Sequence, residues 1–349
     1  MPTITATATV TPPFVLARED VKAVIGRTFA LNARRLAGLM SIYDHAQVEQ
    51  RYSVLPLEQL VRPRSLAEKI LEYRQHAVAL AGRAVCDCLS RAGVHPSEVD
   101  MLISVSCTGY MVPSLDAYLV QELAFRSNVR RLPITELGCV GGAAALSRAV
   151  DFVRAFPNAH ALVVAVELSS LAFQPEDLSD ANLISCAFFG DGAAAALVAG
   201  GPSPGVRVLD TESCIVPSTV EAMGFDLRDS GFHMVLSKEV PDILRREIRG
   251  LVDGLLERNG LGRADLSAYL LHPGGAKILE YLEEELGLPR DGTQPSWDVL
   301  RNVGNLSSAT ILFVLDAWLR SRQPPSGTYG IAVGFGPGIS AELLLLQWA

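Results

Sequence analysis

The sequence predicts an α/β protein of stacked sheets and helices in which the second half repeats the first. Three observations carry this. From residue 65 onward, helical periods alternate with short apolar runs of strand length, the pattern of layered α/β architecture. A succession of strand, glycine turn, apolar helix and strand between residues 101 and 166 returns in weakened form between residues 268 and 333. The 349 residues, 49% hydrophobic and 19% charged, are enough for a sizeable core in one large or two ordinary domains.

Ser65 to Ala92 reads as one long amphipathic helix. Met101-Leu-Ile-Ser-Val-Ser is a compact buried strand, and Asp116 to Phe125 is the helix after it. Arg131 to Glu136 gives a second strand, Gly141 to Phe156 a buried helix of Ala, Leu and Val, and Ala161 to Val166 a third strand. Phe189-Gly-Asp-Gly-Ala-Ala-Ala-Ala-Leu-Val is a turn feeding a strand of small residues, and Gly-Gly-Pro-Ser-Pro-Gly at 200–205 divides the chain into halves 1–205 and 206–349. In the second half the strand Ala268-Tyr-Leu-Leu runs through His272-Pro-Gly-Gly into a helix from about Ala276 to Leu286. Val303-Gly-Asn-Leu-Ser-Ser-Ala precedes an apolar helix to Leu319, and so parallels Leu137-Gly-Cys-Val-Gly-Gly-Ala with its own apolar helix. Tyr329-Gly-Ile-Ala-Val then takes the place of Ala161 to Val166.

Composition narrows the function. A formal net charge of −8 without a Lys/Arg block argues against non-specific nucleic-acid binding. The six cysteines, at positions 86, 88, 107, 139, 186 and 214, show neither paired metal spacing nor the density of a disulfide scaffold, which suits a reduced, intracellular protein. The opening residues lack a signal-peptide pattern and no stretch approaches the ~18 apolar residues of a spanning helix, so no membrane span and a cytoplasmic location are expected. The six histidines are scattered, and no metal site is expected. Gly334-Phe-Gly-Pro-Gly is followed by a strand-like run from Ile339 and not by a helix, so it is read as a rigid loop lining a cavity, formed by Gly334, Phe335, Gly336, Pro337 and Gly338, and not as a dinucleotide fingerprint.

Cys139 lies at a strand-to-helix turn, between Gly138 and Val140-Gly-Gly. Unpaired helix N–H groups there favour an anion and should lower the thiol pKa from about 8.5. A buried cysteine packed as a small hydrophobe is the competing reading. His272 ends a strand ahead of a glycine-rich turn, placed to pair with a cysteine or to donate to a developing oxyanion, although a structural histidine would also fit. Asn305 is either a helix cap or, as the internal counterpart of Cys139, a site residue. Cys107 to Cys139 spans 32 residues and His272 to Asn305 spans 33, so a duplicated fold should bring these four residues to one cavity.

These residues and their flanks resemble the type III polyketide synthases, the chalcone synthase-like members of the thiolase superfamily. The resemblance runs from about Arg18 to the C-terminus, through Gly138-Cys139, Phe189-Gly-Asp-Gly-Ala-Ala-Ala, His272-Pro-Gly-Gly, Gly304-Asn-Leu-Ser-Ser-Ala and Gly334-Phe-Gly-Pro-Gly. It implies a thiolase-like homodimer of five-layered αβαβα subunits, an acyltransferase without cofactor whose CoA thioesters are substrates. Cys139 would take an acyl starter from CoA, and His272 and Asn305 would hold the thioester carbonyl of malonyl-CoA as carbon dioxide leaves. His272 would also keep Cys139 ionised. The same likeness makes Phe189 a gate between CoA tunnel and cavity, puts Gly274 and Gly275 along that tunnel, and places Ser169, Ala172 and Ser307 in the pocket. Val112 would reach across the dimer into the neighbouring cavity. Cys107 matches a cysteine of bacterial enzymes that make tetrahydroxynaphthalene or phloroglucinol, where plant enzymes have threonine.

Two departures stand out. Met234, beside His233, occupies the place of a second gatekeeping phenylalanine, which implies a softer gate. The cationic cluster that plant enzymes offer to CoA phosphates is not reproduced around Ser41 to His45, and Arg34, Arg35, Arg51 and Arg301 are candidate substitutes. The expected product is a small malonyl-primed aromatic or a pyrone, with an alkylpyrone or alkylresorcinol from a long-chain acyl-CoA as the alternative. A ketoacyl-ACP synthase III would read His-Gln-Ala-Asn where this chain has His272-Pro-Gly-Gly, and a degradative thiolase would want a cysteine beyond Cys214. A non-catalytic scaffold homologue would have lost the Cys, His and Asn that are all present.

Overall fold

The computed structural model describes residues 1–201, 203–321 and 324–349. The chain runs β1 (Thr3–Val10), β2 (Phe14–Ala17), α1 (Arg18–Thr28), α2 (Ala33–His45), β3 (Gln50–Ser53), α3 (Leu57–Leu60), α4 (Leu66–Ala92), β4 (Met101–Val105), α5 (Leu115–Glu122), β5 (Arg130–Ile134), α6 (Gly141–Ala155), β6 (His160–Leu168), α7 (Ser169–Ala172), α8 (Asp180–Phe188) and β7 (Asp191–Ala199). It continues with β8 (Val206–Ile215), β9 (Met223–Arg228), β10 (Gly231–Leu236), α9 (Val240–Glu257), β11 (Leu266–Leu271), α10 (Ala276–Leu286), α11 (Arg290–Val303), α12 (Thr310–Ser321), β12 (Tyr329–Gly336) and β13 (Ser340–Trp348). The predicted helices and strands all form, with ends shifted by a few residues. The amphipathic α9, the Pro295-containing α11 and the elements ahead of residue 65 are additions to the predicted set. Stretch 200–205 lies between β7 and β8, and its Pro202 is outside the described residues.

The sequence explains the long helix locally. Ser65 caps α4: its Oγ accepts from the Glu68 N–H at 3.3 Å while the Glu68 carboxylate accepts from the Ser65 N–H at 2.8 Å. Gly93, at φ +65, closes the other end in the left-handed conformation that favours glycine.

Nine strands form one sheet in the order β11-β12-β13-β8-β1-β7-β6-β4-β5. The internal repeat is visible in the pairing. β4 is parallel to β6, which is antiparallel to β7, and β11 is parallel to β12, which is antiparallel to β13. The two half-sheets join where Thr3 and Ile4 of β1 meet Arg207 and Val206 of β8, with the Val208 N–H donating to the Pro2 carbonyl at 3.0 Å beside them. Strand alternation sends each half-sheet's side chains into two different cores. Ile103, Val163 and Ala196 pack with Ala268, Leu270 and Leu344 around α6 and α12, the shared middle layer. Leu102, Val164 and Leu197 face α4 on one outside, and Leu271, Val333 and Leu343 face α9, α10 and α11 on the other. The result is the expected five-layered αβαβα stack. β1 is held in it by polar contacts too, with Thr7 and Thr9 hydroxyls donating to the Asp316 carboxylate of α12 at 2.8 and 3.2 Å. Among the described residues no helix is long and apolar enough to cross a membrane, and no group of His, Cys, Asp and Glu has metal-binding geometry.

The middle layer depends on a close approach. A Cβ on Gly142 of α6 would lie 2.1 Å from the Ser308 carbonyl oxygen at the start of α12. Gly142→Ala is therefore expected to destabilise the fold by about 1–3 kcal/mol, seen as an earlier denaturant midpoint. Gly26→Ala in α1, where nothing lies within 4 Å of the added carbon, should be neutral or mildly stabilising. Equal midpoints for the two variants would contradict the close packing of α6 and α12.

Candidate active site

Cys139 is the middle residue of a 3₁₀ turn, Gly138–Val140, that leads into α6. Glycines let this turn sit against the end of β12. Gly138 adopts φ +54, and a Cβ there would lie 2.4 Å from Pro337 Cδ, while one on Gly336 would lie 2.6 Å from the Leu137 carbonyl oxygen. This corrects the expectation of a cavity-lining loop at 334–338. Gly334, Phe335 and Gly336 are strand residues of β12, Phe335 is buried in the core, and only Pro337 of the five, Gly338 included, reaches the cavity. The motif seats the cysteine turn and gives the chamber a single wall residue, Pro337.

Asn305 precedes α12 and is clamped by its backbone, its N–H donating to the Phe188 carbonyl at 2.8 Å and its carbonyl accepting from Gly190 N–H at 3.0 Å. Its side-chain oxygen accepts from the Ser307 N–H at 2.8 Å and from Thr310 Oγ1 at 3.1 Å. The amide orientation is thereby fixed, and the NH₂, with one long contact of 3.4 Å to the Gly274 carbonyl, is the end left to donate. Measured from its 3₁₀ turn, Ser307–Ala309, the residue matching Cys139 is Ser308. Asn305 thus stands three residues ahead of the counterpart position that the sequence parallel suggested.

His272 follows β11, held by its N–H to the Val333 carbonyl at 2.9 Å. It is 2% exposed, and both ring nitrogens are buried without a hydrogen-bond partner. Gly274 and Gly275 link it to α10, with a Cβ on Gly274 falling 3.9 Å from His272 Nε2 and one on Gly275 falling 3.3 Å from the Phe188 ring. Neither glycine, nor His272 itself, is among the residues lining the cavity that holds Cys139.

Ser307 joins the thiols. Its Oγ lies 3.3 Å from Cys139 Sγ and 3.2 Å from Cys107 Sγ, and its φ of +48 is an unusual backbone state for a serine. Behind them Glu167 of β6 is fully buried and accepts from the Cys107 N–H at 3.1 Å, from the Thr108 N–H at 3.1 Å and hydroxyl at 2.7 Å, and from the Ser308 hydroxyl. Burial pushes its carboxyl above the usual range, and the Ser308 and Thr108 hydrogen bonds oppose that. Sequence reasoning passed over Glu167. Its signal was a lone carboxylate at the end of an apolar strand.

Burial also pushes the Cys139 thiol up to about 11, with Ser307 and Asn305 pulling down and Glu167 pushing up. The direction is opposite to the one its helix start suggests, and burial is the largest cause. Cys107 is raised too, by burial first and then by Glu167. Burial lowers His272 to about 4.

Cys139, Cys107, Ser169, Ala172, Phe189, Met234 and Ser307 all line one largely apolar cavity of about 120 Å³, many times the ~10–15 Å³ that one water needs. Phe173, Phe225, Phe232 and the buried Arg51 complete walls that the sequence did not reveal. Val112 lies outside it, 78% exposed on the surface.

The two halves of the chain match the models of chalcone and stilbene synthases, the N-terminal domain over residues 1–202 and the C-terminal domain over 208–348. The 1,3,6,8-tetrahydroxynaphthalene synthase of Streptomyces peucetius subsp. caesius is 36% identical over 351 residues, covering 99% of this chain and 93% of that protein. The phloroglucinol synthase of Pseudomonas fluorescens is 33% identical over 90% of each chain. The crystal structure of tetrahydroxynaphthalene synthase from Streptomyces coelicolor A3(2), a bacterial type III polyketide synthase, matches with a TM-score of 0.96 at 33% identity over 99% of both chains. With family models spanning both half-sheets and a full-length structural match carrying the same thiolase-like stack, this chain belongs to the chalcone and stilbene synthase family, the type III polyketide synthases.

Proposed function

We propose that the protein condenses malonyl-CoA units onto an acyl chain carried by Cys139 and cyclises the product to a small aromatic of the tetrahydroxynaphthalene or phloroglucinol type. The observation that carries the reading is Asn305: its amide oxygen is committed to Ser307 and Thr310, so its NH₂ is a preorganised donor beside the buried Cys139 thiol, and it contacts the carbonyl of Gly274, two residues after the unpartnered His272. Cys107 in the cavity wall and relatives named for those two products support the product class.

In this reading Cys139 passes its proton to His272, and the thiolate attacks the starter thioester as CoA leaves with that proton. Burial disfavours each charge alone, but a thiolate beside an imidazolium offsets much of that penalty. Malonyl-CoA then loses carbon dioxide, and the electron pair of the broken C–C bond moves onto the thioester oxygen, where His272 and Asn305 donate to it. The enolate carbon attacks the acyl group on Cys139, which leaves as thiolate, and the chain emerges on CoA longer by two carbons. The dry cavity favours decarboxylation, since charge leaves a carboxylate stripped of water for an oxygen met by fixed donors.

CoA thioesters are substrates here and no cofactor takes part. For the CoA phosphates the reading favours Arg34, Arg35 and Lys238, which line a surface depression on the far side of α8 from the cavity. Arg51 is buried, bonding the Ala187 carbonyl at 3.3 Å, and Arg301 faces Glu49 at 3.7 Å. The exposed Tyr110 and Val112 suit a homodimer in which Val112 enters the partner's chamber, and a cytoplasmic location fits CoA substrates.

Mass spectrometry of products from malonyl-CoA alone, and with a graded series of acyl-CoA starters, tests the assignment. An aromatic product from malonyl-CoA alone is expected, with none from Cys139→Ala; products that appear only with long acyl-CoA and grow in mass with it would replace the reading by alkylpyrone or alkylresorcinol synthesis. Asn305→Ala should slow malonyl decarboxylation by ~10²–10³ while sparing starter loading, and equal loss of both would remove its donor role. In iodoacetamide alkylation of Cys139, His272→Ala should shift the pH profile upward. An unmoved profile would mean that His272 does not take the thiol proton.

A further inference from the structure

Hairpin β9–β10 pairs with no other strand among the described residues. An isolated two-stranded hairpin is marginal in water and needs outside support. It is nevertheless one wall of the chamber, through Met223, Phe225, Phe232 and Met234, with Leu227, paired with Phe232 on that same face, left 65% exposed at its edge.

Its support comes from a buried lysine. Lys69 of α4 is 5% exposed and forms no ion pair among the described residues. Its ammonium donates to the Phe173 carbonyl at 3.0 Å, to Gln174 Oε1 at 2.9 Å and to the Ser230 carbonyl, in the hairpin turn, at 3.2 Å. All three donors of the ammonium thus go to neutral acceptors. Gln174 extends the linkage, its Nε2 donating to the Phe232 carbonyl at 3.0 Å and the Ala172 carbonyl at 3.1 Å, and both Phe232 and Ala172 line the chamber. Gly231, at φ +122, makes the approach feasible: a Cβ there would lie 2.9 Å from Gln174 Nε2 and 3.7 Å from Lys69 Nζ. An outer latch adds His233 Nδ1 to Asp177 Oδ2 at 3.1 Å. Burial lowers Lys69 to about 8, the mark of a charge kept in a dry place. An apolar side chain would fill that space without the desolvation penalty, but it would join nothing.

We propose that Lys69 and Gln174 are positioning residues that clasp the β9–β10 hairpin onto the segment after α7, and that this clasp limits the size of acyl chain the chamber admits. The proposal rests on the polyketide reading of the cavity. Neither residue touches the thiol, so the clasp acts through Phe232 and Met234 on selectivity and not on bond making.

The test uses the full-length protein, wild type, Lys69→Met and Gln174→Met. Lys69→Met keeps the apolar stem and removes three hydrogen bonds; Gln174→Met leaves Lys69 with its two carbonyls and serves if the first variant does not fold. Hydrogen exchange of segment 223–236 and the ratio of kcat/KM for a long over a short acyl-CoA are measured together. Exchange in the hairpin should quicken by about tenfold or more, as expected when hydrogen bonds to a charged group are lost, and the long-to-short ratio should rise by a similar factor. Turnover of the short substrate should stay within about threefold, in line with a role outside the reacting atoms. Unchanged hairpin exchange in both variants overturns the clasp, and faster exchange with an unchanged ratio overturns its role in selectivity. A wild-type protein that makes no polyketide would overturn the chemical reading instead, while the exchange comparison still decides the clasp.

Discussion

Helices α6 and α12, one from each repeat, meet with the Ser308 carbonyl in the space that a side chain on Gly142 would fill. Both begin at the chamber, α6 from the turn that carries Cys139 and α12 from the turn that carries Ser307, with Asn305 just ahead. Their separation therefore fixes thiol, hydroxyl and amide relative to one another. Interiors are packed too densely to absorb a change there by gradual adjustment. Gly138 and Gly336 extend the same condition to β12, so the Cys139 turn is held by the Pro337 ring against Gly138 and by the Leu137 carbonyl against Gly336.

Charge is arranged around this frame with equal economy. Glu167 is buried without an ion-pair partner among the described residues and is satisfied instead by N–H and hydroxyl donors from the Cys107–Thr108 segment and from Ser308. It binds the Cys107 loop of one repeat to the Ser307–Ser308 turn of the other. Lys69 does the corresponding work with carbonyl acceptors at the hairpin. In both places a desolvated ion collects neutral partners from segments distant in sequence, the arrangement in which a buried charge specifies geometry.

Local sequence revealed the elements whose signals are local. The Ser65 cap and Gly93 stop bound α4 as drawn, and the apolar runs of β4, β6 and β11 are unmistakable. β1 was not legible because Thr-Ile-Thr-Ala-Thr-Ala-Thr-Val is apolar only in context, where Thr7 and Thr9 find Asp316 more than 300 residues away. α11 hides behind Pro295. At the site, Cys139 and Cys107 were readable from motif and spacing and both line the cavity, Ser307 was indicated only by the family resemblance, and His272 and Asn305, expected from the spacing in the same cavity, are not among its lining residues. The roles of Glu167 and of the glycines at 334–338 were not, because each depends on which surface the fold presses against it. The same holds for the Cys139 thiol, whose helix start is visible in sequence but whose dryness is not.

The chamber joins two kinds of wall. On the side of Cys139 the lining side chains are the small Cys107, Ser307 and Pro337, set on backbone that glycines pack closely, whereas the hairpin offers Met223, Phe225, Phe232 and Met234 on strands that, among the described residues, pair only with each other. A change of side chain on this ribbon would reshape one wall of the mould and leave the close backbone contacts around the Cys139 turn in place.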